Sequence, residues 1–196
     1  MAQAAIIGGA AGLRIEGASN VAAVSKVVNV PVIGIIKSSQ DESRVRIVAT
    51  VDDAKSLIAT GVDIIAIDAT HRPRDEPLES IVQCILEAGV IVMADCATAI
   101  DAERAIALGA TLIGTTLSGY TEETAHLGPE PDFALIKQYA SLCQNRDVLV
   151  VAEGRFNTPE RAQQAIQAGA DCVTVGSAIT RVEHIVGWFN DAIKQA

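Results

Sequence analysis

The chain has 196 residues, 49% of them apolar and only 3% aromatic, and a net charge of −9. That length suits one domain with a substantial core, so residues 1–196 are read as a single domain. The acidic balance, with a pI near 4.7, leaves no basic footprint for nucleic acid. A small anionic ligand stays open, because local amides and a few arginines outweigh a diffuse surface charge.

The chain opens on "MAQAAIIGGAAG", small and apolar residues without a basic n-region and too short to span a membrane. Cys84, Cys96, Cys143 and Cys172 are widely spaced with no CxxC pair, which reads as reduced thiols in a cytoplasmic protein rather than a disulfide framework or zinc site.

Taken in order, the segments "GGAAGLRIEG", "TGVDIIAIDA", "EAGVIVMADC", "LGATLIGTTL" and "AGADCVTVGS" share one grammar. A helical stretch closes on glycine, one or two residues intervene, and an apolar strand begins. Glycine there supplies the left-handed conformation that turns the chain out of the helix. "VNVPVIGIIK" and "NRDVLVVAEG" add two strands by a different turn. Seven strands are predicted, near residues 12–16, 32–37, 63–68, 90–95, 111–116, 148–153 and 172–176. Helical patterns lie between them, including "DDAKSLIAT", "LESIVQCILEA", "AIDAERAIAL", "DFALIKQYASLC" and "TPERAQQAIQA".

Near-continuous apolar strands alternating with helices indicate parallel βαβ units buried on both faces. The unit length fits a (β/α)8 TIM barrel, and no GxGxxG follows the first strand to support a doubly wound dinucleotide fold. The expected fold is therefore an α/β barrel one strand short. The chain starts in what reads as the tail of the first helix, with the first strand lacking.

Parallel barrels carry their chemistry at the C-terminal strand ends. Those ends hold Arg14 and Glu16, Lys37, Asp68, Asp95 and Glu153. Any one of them could simply be a strand meeting solvent; five charged ends out of seven suggest a polar site of mixed sign. Lys37 and Glu153 would face each other across the mouth, one supplying a proton and the other accepting one. A lysine working in this way needs its pKa drawn down by burial or a neighbouring cation, for which Arg14 is a candidate.

"EGRFNTPERA" and "VGSAITRVEHI" each pass from a strand through small residues into a helix. Gly154 with Arg155, and Gly176 with Ser177 and Arg181, are the candidate phosphate contacts, since the last two strand-to-helix loops are the usual phosphate site in this architecture. The stretch "SGYTEETAHLGPEPDF" is the longest irregular segment and reads either as a lid or as a surface excursion. His71 could reach a substrate, whereas His126 and His184 read as surface residues. No metal-ligand spacing and no Gx4GK[ST] motif occur.

"RIEG", "VPVIGIIK", "DIIAIDATHRPR", "MADC", "LIGTTLSGYT", "VVAEGRFNTPERA" and "TVGSAITRVEHI", in this order, resemble the N-acetylmannosamine-6-phosphate 2-epimerase family from about residue 2 to the C-terminus. The resemblance implies a barrel that interconverts N-acetylmannosamine 6-phosphate and N-acetylglucosamine 6-phosphate in sialic-acid catabolism. It implies no metal or organic cofactor, a phosphorylated amino sugar as partner, and a homodimer. It puts the catalytic lysine and glutamate on Lys37 and Glu153, the substrate contacts on Arg14 and Asp95, and the phosphate-side arginine on Arg181. Family members also carry a first strand ending in Cys-Gln, and nothing in this chain matches it. Two alternatives stay open: a Schiff-base aldolase or lyase, because lysine at a strand end also forms imines, and an inactive relic that only binds sugar phosphates.

Overall fold

A computed structural model describes residues 1–37 and 46–195. After a short helix α1 (Ala2–Ile7), strands and helices alternate: β1 (Leu13–Glu16), α2 (Ala18–Ser25), β2 (Val32–Ile35), α3 (Val51–Ile58), β3 (Ile64–Asp68) and α4 (Leu78–Glu87). The series continues through β4 (Ile91–Asp95), α5 (Ala99–Ala107), β5 (Leu112–Gly114), α6 (Phe133–Cys143), β6 (Leu149–Glu153), α7 (Pro159–Gln167) and β7 (Cys172–Thr174). Two helices close it, α8 (Ser177–Thr180) and α9 (Val182–Lys194).

All seven strands are parallel and follow one another in chain order, β1 through β7. Neighbouring strands lie about 4.8 Å apart, so β1 and β6 would be about 24 Å apart in a flat sheet. Arg14 on β1 nevertheless contacts Glu153 on β6 at 3.0 Å. The sheet must therefore curl, which makes it an open (β/α) barrel with helices outside. β1 and β7 are its two end strands.

The predicted glycine grammar holds. Gly61, Gly89, Gly109 and Gly169 follow α3, α4, α5 and α7 at φ between 72° and 107°, a conformation that costs a side-chain-bearing residue steric strain. The aspartates just beyond two of these glycines serve the strands next door. Asp63 accepts the Val32 N–H at 2.9 Å and Asp171 the Val150 N–H at 2.7 Å, which satisfies the backbone where β2 and β6 begin. Helix starts are fixed by Thr50, Thr98 and Thr158, whose hydroxyls accept N–H bonds in the first turn.

Small branched residues fill the interior, among them Ile65, Ile67, Val92, Met93, Ile113, Val150 and Val151, all buried. Tyr139 is an exception in size; it is buried on α6 and donates its hydroxyl proton to the Thr98 carbonyl at 3.0 Å. α9 is amphipathic, and its Val182, Val186, Phe189 and Ile193 are all exposed. Among the described residues no helix is long and apolar enough to cross a membrane.

β2 ends at Ile35, two residues short of its predicted limit, and Lys37 instead forms an isolated antiparallel bridge with Ile47. The strand gives way to irregular backbone just where it leaves the core, since Ile35 is buried and Lys37 is exposed. β7 stops at Thr174, so Gly176 lies in the turn into α8 and Ser177 is the first residue of that helix.

Candidate active site

Side chains alternate along a strand, so residues two apart share a face. Arg14 on β1, Met93 and Asp95 on β4, and Glu153 on β6 all point into the curl of the sheet. The Arg14 guanidinium sets Nη2 at 2.6 Å from Asp95 Oδ2 and Nη1 at 3.0 Å from Asp95 Oδ1. Nη1 also donates to Glu153 Oε2 at 3.0 Å and lies 3.7 Å from Met93 Sδ. One arginine fork thus bridges two carboxylates from different strands, a geometry that lysine could not reproduce.

The cluster is largely removed from water: side-chain exposure is 9% for Arg14, 0% for Asp95 and 17% for Glu153. Burial on its own would weaken the hold of Arg14 on its proton; Asp95 and Glu153 outweigh it and keep the guanidinium more firmly charged than usual. Burial pushes the Glu153 carboxyl up to about 7, with Asp95 adding to the rise and Arg14, Thr174 and Lys37 opposing it. Lys37, exposed beyond the end of β2, is the weakest of these influences on Glu153.

The residues just past β5 contribute hydroxyls. Thr116 donates to Asp95 Oδ1 at 2.6 Å, and Thr115 bonds both backbone groups of Glu153. The motif "GTTLSGYT" is part of the family resemblance, but its spacing alone assigns these threonines no role.

Asp68 is the register partner of Asp95 on the adjacent strand. It is buried and accepts from Arg72 Nη2 at 2.5 Å and from the Thr70 hydroxyl at 2.6 Å, with Arg74 Nη2 3.9 Å away. Burial raises its pKa, and these partners oppose the rise. "THRPR" thus folds back on its own strand end. His71 points away, 65% exposed, with Nδ1 3.4 Å from Asp101 at the start of α5. His126 is exposed beside the Glu123 carbonyl, and His184 lies against Trp188.

Arg155 is held at φ 65° directly after Gly154. Its guanidinium lies against Gly119 and 5.6 Å from the centre of the Tyr120 ring, and its buried Nε has no hydrogen-bond partner among the described residues. The segment it touches is tied down. Ser118 donates to Asp132 at 2.6 Å, Gly119 N–H to Thr124 at 2.9 Å, and Thr121 and Thr124 are buried. Arg181 is 55% exposed and paired with Glu183 at 2.7 Å. Direct contacts thus bring Arg14, Asp95 and Glu153 together, Lys37 stands exposed beyond the end of β2, and Arg155 and Arg181 engage neighbours outside that cluster.

Among the described residues no three His, Cys, Asp or Glu side chains gather as metal ligands. A pocket between Ser25, Asn29, Pro31 and Asp63 opens at the start of β2 and β3. That is the opposite end from the charges, the end of such barrels that carries stability rather than chemistry.

Fold and site together define a parallel α/β barrel enzyme of acid–base type, with the buried Glu153 carboxyl, its pKa raised by burial, held against the fixed cation Arg14. A family model described as "Putative N-acetylmannosamine-6-phosphate epimerase" matches residues 1–195. A relative from Aliivibrio fischeri, described as a 2-epimerase in otherwise the same words, is 53% identical over 99% of this chain and 80% of its own length. One from Haemophilus influenzae is 48% identical over 100% of this chain and 83% of its own length. The solved N-acetylmannosamine-6-phosphate 2-epimerase of Clostridium perfringens superposes with a TM-score of 0.91 at 36% identity, covering 97% of this chain and 82% of that one. The chain belongs to the N-acetylmannosamine-6-phosphate 2-epimerase family and is by that membership a carbohydrate epimerase, an isomerase. Neither the Schiff-base lyase nor the sugar-binding relic is favoured by these likenesses.

Proposed function

We propose that the chain interconverts N-acetylmannosamine 6-phosphate and N-acetylglucosamine 6-phosphate, with Lys37 and Glu153 moving the proton at C2. Family membership points to the substrate pair. Glu153 carries the chemical part of the reading: a carboxyl pushed up to about 7 by burial can both take and give a proton near neutral pH.

The C2 hydrogen lies beside the C1 carbonyl of the open-chain sugar, and removing it as a proton leaves an enolate. That negative charge needs a cation held ready before it forms. Arg14, clamped by Asp95 and Glu153, is that fixed positive end, and Lys37 adds a positive charge in the half of the cycle in which it holds a proton. One of the pair Lys37 and Glu153 takes the proton as the C–H bond breaks. The other delivers a proton to the opposite face as the new C–H bond forms. Each turnover leaves one proton shifted from one group to the other, and exchange with water restores the starting state.

We assign the phosphate to the start of α8, at Gly176 and Ser177 with Arg181; among the described residues other than its chain neighbours, nothing lies within 4 Å of a Cβ position at Gly176. Gly154 follows Glu153, the register partner of Thr174, and so stands at the β6 end next to the turn into α8, with Arg155 after it and its guanidinium turned toward Gly119 and Tyr120. Anchoring a remote phosphate lowers the cost of orienting C2 between the two proton carriers. On the family resemblance, the same reading takes the protein to be a cytoplasmic homodimer.

Lys37→Met tests the assignment. Interconversion should fall by at least a thousandfold while the fold is retained; solvent deuterium entering C2 at the wild-type rate from both epimers would end it.

A further inference from the structure

In a parallel ladder, each strand residue directs its N–H and C=O to the same neighbouring strand. β5 pairs with β6 through Gly114↔Val151, and the Thr115 N–H then bonds the Val151 carbonyl at 3.2 Å. The next backbone groups of β6 that face β5 belong to Glu153. β5 has ended by then, and a side chain takes the place of its backbone. The Thr115 hydroxyl accepts the Glu153 N–H at 3.0 Å and donates to the Glu153 carbonyl at 2.8 Å. Thr115 is 2% exposed, so water does not compete for either bond.

The adjacent residue does the corresponding work on the other side. Thr116 donates to Asp95 Oδ1 at 2.6 Å, the same oxygen that Arg14 Nη1 reaches at 3.0 Å. Gly114 leaves room for this, because a Cβ there would stand 2.9 Å from Thr116 Oγ1 and 3.5 Å from Asp95 Oδ1. Three consecutive residues of β5 and its end thus support the carboxylates of β4 and β6 at once.

We propose that Thr115 and Thr116 are positioning residues, which hold Glu153 and Asp95 at the separation that Arg14 bridges and so aim the Glu153 carboxyl at the sugar. Neither has to touch substrate. Their part in turnover rests on the epimerase reading; their hold on the carboxylates does not. The buried Thr115 hydroxyl with both its bonds made, and the half-buried Thr116 with its one bond to a carboxylate, restrain their partners to within fractions of an ångström, and misplacement on the scale of 1 Å costs about a hundredfold in rate.

The test uses Thr115→Val and Thr116→Val, which keep the shape and delete the hydroxyl, with Thr115→Ser and Thr116→Ser as rescues. Folding is checked by circular dichroism, and Thr115→Cys replaces the valine variant if that one does not fold. Two readouts are taken: kcat and KM on N-acetylmannosamine 6-phosphate, and the titration of the Glu153 side-chain carboxyl followed by carbon-13 NMR. The expected result is a tenfold or greater loss of kcat in each valine variant, KM within threefold of wild type, recovery to within threefold in the serine variants, and a displaced Glu153 titration. A folded valine variant with wild-type kcat, serine variants no better than valine, or a Glu153 titration unmoved by both substitutions would overturn the proposal. Should the wild-type chain show no turnover, the epimerase reading fails instead, and the carboxyl titration still decides the positioning claim.

Discussion

Replacing Glu153 by glutamine removes one titration while nearly preserving shape, and the consequence for stability has a definite sign. The carboxyl is raised from 4.5 to about 7 by folding. Between those values the folded chain holds a proton that the unfolded chain has released, so stability declines as pH rises. The contribution is fully present below the unfolded pKa, and the decline ends once the pH has passed the folded one. A rise of that size corresponds to about 3 kcal/mol, most of which, about 2–3 kcal/mol, falls between pH 5 and pH 8. Glu153→Gln does not titrate there. The stability of wild type minus that of Glu153→Gln should therefore drop by about 2–3 kcal/mol across this interval, seen in a chain of this size as about 5–10 °C in relative Tm. Parallel urea or thermal unfolding of the two proteins at pH 5, 6, 7 and 8 measures it, and the titrations of all other groups largely cancel in the difference. A flat difference, or a wild type that gains on the variant with rising pH, would mean that the ion pair with Arg14 outweighs burial and that Glu153 is an ordinary ionised glutamate.

Arg14→Met should be more severe. It leaves two carboxylates without their shared cation, costs about 3–5 kcal/mol of stability at neutral pH, and moves the Glu153 titration further up, which unfolding curves and carboxyl NMR would record. Unchanged stability would show that the Arg14 bridge is not formed in solution. Gly119→Ala introduces a Cβ that collides with the Arg155 guanidinium at a glycine with φ of 83°, so it should cost about 1–3 kcal/mol. Adding Arg155→Ala should return part of that loss in a double-mutant cycle; strict additivity would separate Arg155 from the loop.

Much of the barrel was legible because its signals are local. The apolar strands and the glycines after α3, α4, α5 and α7 each act over a few residues; the glycines sit where the pattern put them, and the seven strands lie within the predicted segments or a residue or two short of them. The charged strand ends were legible too, since Arg14, Asp95 and Glu153 interrupt apolar runs. Their mutual arrangement was not. Arg14 reaches partners 81 and 139 residues away, and only the curl of the sheet sets β1 beside β4 and β6. Arg14 was a candidate to act on Lys37, yet its contacts fix it to two carboxylates. The same limit hid Thr115 and Thr116, which read in sequence as ordinary strand-end threonines and gain meaning from the backbone they face. His71 shows the reverse case: it stands beside a charged strand end in sequence, and its ring points out toward Asp101.

The central claim is that Lys37 and Glu153 serve opposite faces of C2. Its most direct test follows solvent deuterium into C2 from each epimer separately, in Lys37→Met and in Glu153→Gln. The two variants should show complementary defects, each losing exchange from the epimer whose C2 hydrogen faces the missing group while retaining measurable exchange from the other. Equal loss from both epimers in one variant, with wild-type exchange in the other, would contradict the account and assign both faces to a single residue.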